Sequence, residues 1–354
     1  MRQATIADLT GDRVLYRDLE PSDRSLPGLT ALRGQLGIPA GRTPRKRDFA
    51  YARIILELAR AAQATRGGAP LTTVCVIGDT ENDRLLAEHL QQLGEVAGYG
   101  FIAADRPVAP AELSWNGNVA ESTRWALVGP WAAELRSRGV DWSRTALLVD
   151  IDKTLLGPRG RCDGAIDEAR AEAALLVAEA LLGPALDNSV FRRTYAQLCR
   201  REWHALTLDN QDYTVAATLF GVAGALDLTR IEPLLADPAL PPLAEWLAGC
   251  AAAVPPALQP LHTELLAAMA AGDPTPFKQF RRIELLTTAA RMRDGRLTLC
   301  HDLFALGGEL SAVGALFLAA SDKPAESALP DAAQLAAGLL PLHQTPAQLD
   351  VSPL

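Results

Sequence analysis

Thr145-Ala-Leu-Leu-Val-Asp-Ile-Asp-Lys-Thr-Leu-Leu156 is the stretch on which the reading of the chain turns. Its apolar run, Ala146 to Val149, is too short for a helix and matches a strand buried on both faces. The run stops at Asp150, and Asp152 and Thr154 follow. Open α/β sheets bind ligands outside the carboxyl ends of their strands, so two carboxylates there mark a candidate site. A strand that simply ends in a polar turn is the plainer alternative.

Working outward, Leu71-Thr-Thr-Val-Cys-Val-Ile77 is a second β-branched run, ending in Gly78-Asp79-Thr-Glu-Asn-Asp83 ahead of a helix predicted over Arg84 to Leu93. Gly78 permits a close turn, and Asp79 and Asp83 are placed for a cation. Helix capping accounts for one of these acids but not for both. Gly314-Ala-Leu-Phe-Leu-Ala-Ala320 is a third run and ends on Ser321-Asp322-Lys323-Pro324. Strands joined through helices are parallel, so these polar ends should converge on one crevice.

The connecting segments are read more coarsely. A short strand is expected within Arg13–Leu19, a short helix over Leu29–Leu36, and a strand over Val96–Ala104. Helical periodicity covers Lys46 to Ala64, with Pro44 suited to its first turn. The Pro-containing stretch Asp105 to Asn118 reads as a loop. Ser122 to Gly139 reads as a helix kinked or split at Gly129-Pro130. A helix over Asp331–Leu340 and a last strand near Leu340–His343 close the chain. From about 163 to 302 strand patterns nearly vanish. Helical segments punctuated by Gly183-Pro184, Pro241-Pro242 and Pro255-Pro256 replace them. The expected organisation is an α/β core from 1–160 and 306–354, interrupted by an inserted all-α domain over 161–305.

Composition narrows the function classes. The chain has 354 residues, of which 49% are hydrophobic and 21% charged, enough apolar matter for an ordinary globular core. A net charge of −8 argues against sequence-independent nucleic-acid binding, which needs a cationic footprint. No apolar run reaches the length of a membrane span, and the first residues lack the apolar segment of a signal peptide. The five cysteines are scattered, with neither a disulfide framework nor a zinc-ligand spacing, and a cytoplasmic setting is the default expectation. The five histidines have no metal-ligand spacing either.

Clustered carboxylates repel: at about 4 Å and an effective dielectric of about 20, each like pair costs roughly 4 kcal/mol. A cation relieves this, and an all-oxygen donor set favours Mg²⁺ over zinc or copper. Mg²⁺ commonly bridges carboxylate to phosphate. A hydroxyl such as Ser321, backbone N–H groups and a lysine could then hold a phosphoryl group, with one carboxylate as nucleophile and the other as acid and base.

Asp150-Ile-Asp152-Lys-Thr154 resembles the Asp-x-Asp-x-Thr signature of the haloacid dehalogenase-like (HAD) superfamily, most of whose members are Mg²⁺-dependent phosphatases. Gly78-Asp79-Thr-Glu-Asn-Asp83 is similar to that family's metal-binding fourth motif, and Leu316 to Ser321 to its second. The third motif is a lysine near a helix start, a place that Lys46 fits and for which Lys323 is a rival. The resemblance covers the α/β portions and excludes the helical insertion. The motifs run third, fourth, first, second, the order of a circular permutation, which is tolerated where the original termini are exposed and close.

The resemblance implies a Rossmann-like, doubly wound parallel sheet with a large helical cap. It makes Asp150 the nucleophile and a metal ligand, and Asp152 the general acid/base, with its backbone carbonyl also facing the metal. Thr154 would support Asp152, Ser321 would bind the phosphoryl group, and Lys46 would stabilise its charge. Asp79 would hold Mg²⁺ and Asp83 support that shell. A large cap implies a small phosphorylated substrate. Arg159 and Arg161 could clamp a substrate anion or be solvated hinge charges. A phosphotransferase using the same site, a catalytically silent HAD-like binding domain and a receiver-like phosphoacceptor are the alternatives. The receiver reading leaves the insertion and the paired Asp150 and Asp152 unexplained. The sequence does not fix the oligomeric state.

Overall fold

A computed structural model describes residues 2–351. Their contacts divide the chain into two compact units, one formed by 1–167 with 288–354 and the other by 168–287.

Among the described residues the first unit is built on nine strands: β1 Gln3–Ala4, β2 Val14–Leu15, β3 Thr73–Gly78, β4 Ala97–Ala103, β5 Leu113–Asn116, β6 Val119–Ser122, β7 Thr145–Asp150, β8 Leu316–Ala320 and β9 Ala347–Gln348. Seven of them form one sheet in the order β2-β8-β7-β3-β4-β6-β5. Every neighbouring pair is parallel except β5 and β6. The three apolar runs singled out in the sequence are therefore adjacent, with β7 between β3 and β8. All their residues are buried, as expected of strands covered on both faces.

Side chains alternate across these strands. Val74, Val76, Ala146, Leu148, Leu316 and Leu318 share one core with Ile54, Ile55, Leu58 and Ala62 of the helix Phe49–Thr65. Asp150 lies two residues beyond Leu148, so it leaves the strand toward the face on which that helix packs. Elsewhere in this unit, Phe101 contacts Trp125 and Trp131, with ring centroids 6.3 and 5.5 Å apart.

Several local expectations are corrected. The helix predicted from Lys46 begins at Phe49, because Asp48 has extended backbone and its carboxylate closes the preceding turn onto the Arg45 N–H at 3.0 Å; Pro44 and Lys46 lie in that irregular chain. The stretch read as a loop before Asn118 contains β5, which forms a hairpin with β6. Gly129-Pro130 does not split the helix Val128–Ser137, because Pro130 falls in its first turn, where a missing N–H costs nothing. No strand forms at Leu340–His343; Leu342–Gln344 is a single 3₁₀ turn, and β9 pairs with β1 instead.

The second unit is helical throughout its described elements, from residue 168 near the start of the helix Gly164–Leu182 to residue 287 within Lys278–Arg293. Phe191, Leu198, Trp203, Phe220, Phe277 and Phe280 anchor its core. Asp212, fully buried, accepts from the Phe277 backbone N–H at 3.0 Å and from Arg281 Nε at 2.8 Å. Among the described residues of the chain no helix is long and apolar enough to cross a membrane.

Candidate metal centre

Register brings the acids together. Ile77 is level with Val149 and Ala320 with Asp150, so Asp79 and Ser321 each stand just beyond the strand ends that flank Asp150. Asp79, Asp83 and Asp150 each offer an oxygen, and these three atoms lie within 4.8 Å of one another. The group could hold a metal ion.

Asp83 is fixed twice. It is the third residue of the helix Glu81–Gln92, and its Oδ2 accepts from the Thr80 backbone N–H at 3.2 Å and the Thr80 hydroxyl at 2.6 Å in a capping box. Its Oδ1 accepts from Lys46 Nζ at 2.9 Å. Gly78 makes room for this arrangement: a Cβ at that position would lie 2.3 Å from the Asp83 carboxyl carbon.

Lys46 is 3% exposed and also donates to Asp150, bridging two of the three carboxylates. Burial alone would push its ammonium down, but Asp150 and Asp83 hold it well above its ordinary value. Burial raises the Asp150 carboxyl well above the usual range, against the attraction of Lys46 and with the repulsion of Asp83 and Asp79. Burial also raises Asp79, to about 6, with Arg159 opposing the shift.

Asp79 accepts from two sides. The Arg159 guanidinium donates through Nε and Nη2 to Oδ2, and the Thr154 hydroxyl lies 3.4 Å from Oδ1. Thr154 therefore turns its hydroxyl to Asp79, while its backbone N–H closes the turn onto Ile151. Within that turn Lys153 adopts a left-handed conformation, φ 64°.

Asp152 stands apart from the three-carboxylate group. Its Oδ2 lies 3.4 Å from Lys323 Nζ, and its Oδ1 is buried without a hydrogen-bond partner among the described residues. Ser321 is buried, and its hydroxyl oxygen accepts from the Lys323 backbone N–H at 3.0 Å. Of the two lysines read as rivals, Lys46 thus touches Asp150 and Lys323 faces Asp152.

Arg161 has a different environment from Arg159. It donates to Asp105 at 2.6 Å, Asp302 at 2.6 Å and Asp350 at 2.8 Å, and its side chain is 8% exposed. The three acids come from distant parts of the chain, and no local pattern links them. The same holds for the buried Tyr16 hydroxyl, 3.2 Å from His343 Nδ1, and for Asp12, 3.1 Å from His343 Nε2. A cavity of about 340 Å³ opens beside Asp79, with Arg84, Arg106, Glu121 and Arg159 also in its wall.

Compared with family models, with curated proteins and with solved structures, the chain matches none.

Proposed function

We propose that the protein is a Mg²⁺-dependent phosphomonoester hydrolase acting on a small phosphorylated metabolite. The observation that carries this reading is the meeting of Asp79, Asp83 and Asp150 around Lys46 at one rim of the sheet. With all three acids ionised, as a bound cation would hold them, the group with its one ammonium carries two negative charges, which suits a divalent cation. An all-carboxylate donor set suits Mg²⁺. Asp83 is held by both Thr80 and the buried Lys46, whereas the charged partner of Asp79 Oδ2 among the described residues is the partly exposed Arg159, so Asp79 and Asp150 are taken as the direct donors and Asp83 as their support. The bound ion would supply charge neutralisation for a phosphate ester.

Asp150 attacks phosphorus, and the bond from phosphorus to the ester oxygen breaks. Asp152, in its acid form, gives that oxygen a proton. Asp152 then takes a proton from water as the water attacks the aspartyl-phosphate, releasing phosphate and restoring Asp150. Lys46 and the Ser321 hydroxyl stabilise the phosphoryl oxygens. The resemblance to HAD phosphatases supports these roles. The adjacency of the Asp79, Asp150 and Ser321 strands despite their permuted order in the chain is consistent with it. A phosphotransferase would use the same chemistry with an alcohol in place of water. A silent binding domain would need neither Asp152 nor its unpartnered oxygen.

The test is hydrolysis of a panel of phosphate esters, beginning with an aryl phosphate, with and without Mg²⁺. Turnover is expected only with the metal. Asp150→Asn is expected to lower kcat at least about 10⁴-fold, as removal of a covalent nucleophile does, with unchanged thermal unfolding. Undiminished activity in that variant removes Asp150 as nucleophile. Absence of Mg²⁺-dependent turnover across the panel favours the silent domain.

A further inference from the structure

We propose that Arg159 is a displaceable counter-ion: it holds Asp79 while no divalent cation is bound, and swings into the adjoining cavity when one takes its place. This rests on the cation site proposed above and adds a moving part to it.

Three observations distinguish Arg159 from the other cations nearby. Lys46 is buried and shared between two carboxylates, and Arg161 is buried and shared among three. Among the described residues Arg159 has one carboxylate partner, and its side chain is 37% exposed while that of Asp79 is 2% exposed. Its hold is on Oδ2 of Asp79, in a group whose remaining negative charge is that of one divalent ion. A monovalent guanidinium leaves that group one charge short of neutrality.

The backbone at 159 is anchored, so the side chain alone is able to move. Its N–H donates to the Lys153 carbonyl at 2.8 Å, and its carbonyl accepts from the Asp105 N–H at 2.9 Å and the Trp125 indole at 3.1 Å. Gly160 adds to this anchoring. It has φ +87°, and a Cβ there would lie 2.0 Å from the Asp105 carbonyl oxygen. The cavity supplies the destination, because Asp79 and Arg159 both line it. Glu112, on the same wall, makes no ion pair among the described residues and offers the displaced guanidinium a carboxylate; Arg84 is already held by Glu88 at 3.1 Å and Glu121 at 3.0 Å.

The experiment measures Mn²⁺ binding to the full chain by electron paramagnetic resonance, without substrate, in the native protein, Arg159→Ala and Arg84→Ala. Arg84 lines the same cavity but is not paired with Asp79, so it controls for the loss of one positive charge. Arg159→Ala is expected to bind Mn²⁺ roughly tenfold more tightly than the native protein, and Arg84→Ala less than about threefold. Modification by phenylglyoxal, mapped by mass spectrometry on the native protein, is a second measurement that needs no variant. Saturating Mg²⁺ is expected to speed reaction at Arg159 about fivefold, as its guanidinium exchanges the buried Asp79 for the exposed Glu112 and becomes more accessible. Equal Mn²⁺ affinities, or an unchanged rate at Arg159, overturn the proposal while leaving the cation site intact. Failure of both the native protein and Arg159→Ala to bind Mn²⁺ overturns the cation site as well.

Discussion

Gly78 shapes the acidic group by lacking a side chain. The space that a Cβ would take is filled by Asp83, which caps its helix and holds Lys46 from there. Gly78→Ala is expected to displace Asp83 at a cost of about 1–3 kcal/mol, the usual range for overpacking, and to weaken cation binding. Thermal unfolding and a Mn²⁺ titration check this; unchanged values in both would mean that Asp83 has room to give way. His343 sets a second test. Burial depresses its imidazole below the ordinary 6.5, with Asp12 opposing the shift. A base with a lowered folded pKa contributes full stability above its unfolded value and loses it as pH falls, because the unfolded chain binds the proton more readily. The difference in urea midpoint between the native protein and His343→Gln should therefore shift against the native protein from about pH 6.5 downward, while the raised Asp79 and Asp150, which act in the opposite direction, contribute equally to both. Asp12 does not mask the effect, since its own carboxyl is lowered from 3.8 and titrates below this window. Parallel profiles for the two proteins would contradict the assignment. At this scale the acids were readable, because a carboxylate ending an apolar run is a local signal. The pairing of Asp79 with Arg159, 80 positions apart, leaves no such trace.

Among elements, the buried strands β3, β7 and β8 were legible as continuous apolar runs, and their parallel pairing followed from the helices between them. The hairpin of β5 and β6 was not. Ser114 and Asn116 alternate with half-buried residues on an exposed edge, so no apolar run marks β5. The start of the helix Phe49–Thr65 was misplaced because the chain before it forms its own turn, in which the Asp48 carboxylate accepts from the Arg45 N–H at 3.0 Å and the Asp48 backbone is extended. Arg161 shows how such elements are held once formed. It joins the segment after β4, the helix His301–Ala312 and the chain beyond β9 through Asp105, Asp302 and Asp350. Removing one partner of a buried ion pair leaves charge uncompensated, and here three carboxylates lose their shared cation. Arg161→Met is expected to lower the unfolding free energy by about 3–5 kcal/mol. Chemical denaturation measures it, and a loss below about 1 kcal/mol would mean that the acids find water or other donors.

For the molecule as a whole, chain order and spatial order are separate facts. The strand carrying Asp150 lies between those carrying Asp79 and Ser321, although Asp79 comes first in the chain. The sheet edge depends on which strands neighbour one another, not on where the chain is opened. That independence allowed the α/β architecture to be read from separated motifs. The pairing of the two chain ends had no comparable signal, since two-residue strands carry no periodicity. Gln3 pairs with Gln348 and Ala4 with Ala347, so residues near the two ends are already side by side. The turn at Gly139, by contrast, is exposed and follows the helix Val128–Ser137. A chain joined from residue 351 to residue 2 by a short Gly/Ser linker, and reopened between Gly139 and Val140, would present Asp150, Ser321, Lys46 and Asp79 in that order. Reopening there breaks the contact of the Val140 N–H with the Leu135 carbonyl, 3.1 Å, worth about 1 kcal/mol. The rearranged chain is expected to fold with the same circular dichroism spectrum and a Tm within about 10 °C of the native protein. Its three carboxylates should also bind Mn²⁺ with unchanged affinity. A folded product that has lost Mn²⁺ binding would show that the present connection at 139–140, remote in sequence from Asp79 and Asp83, helps to set the rim where the acids meet.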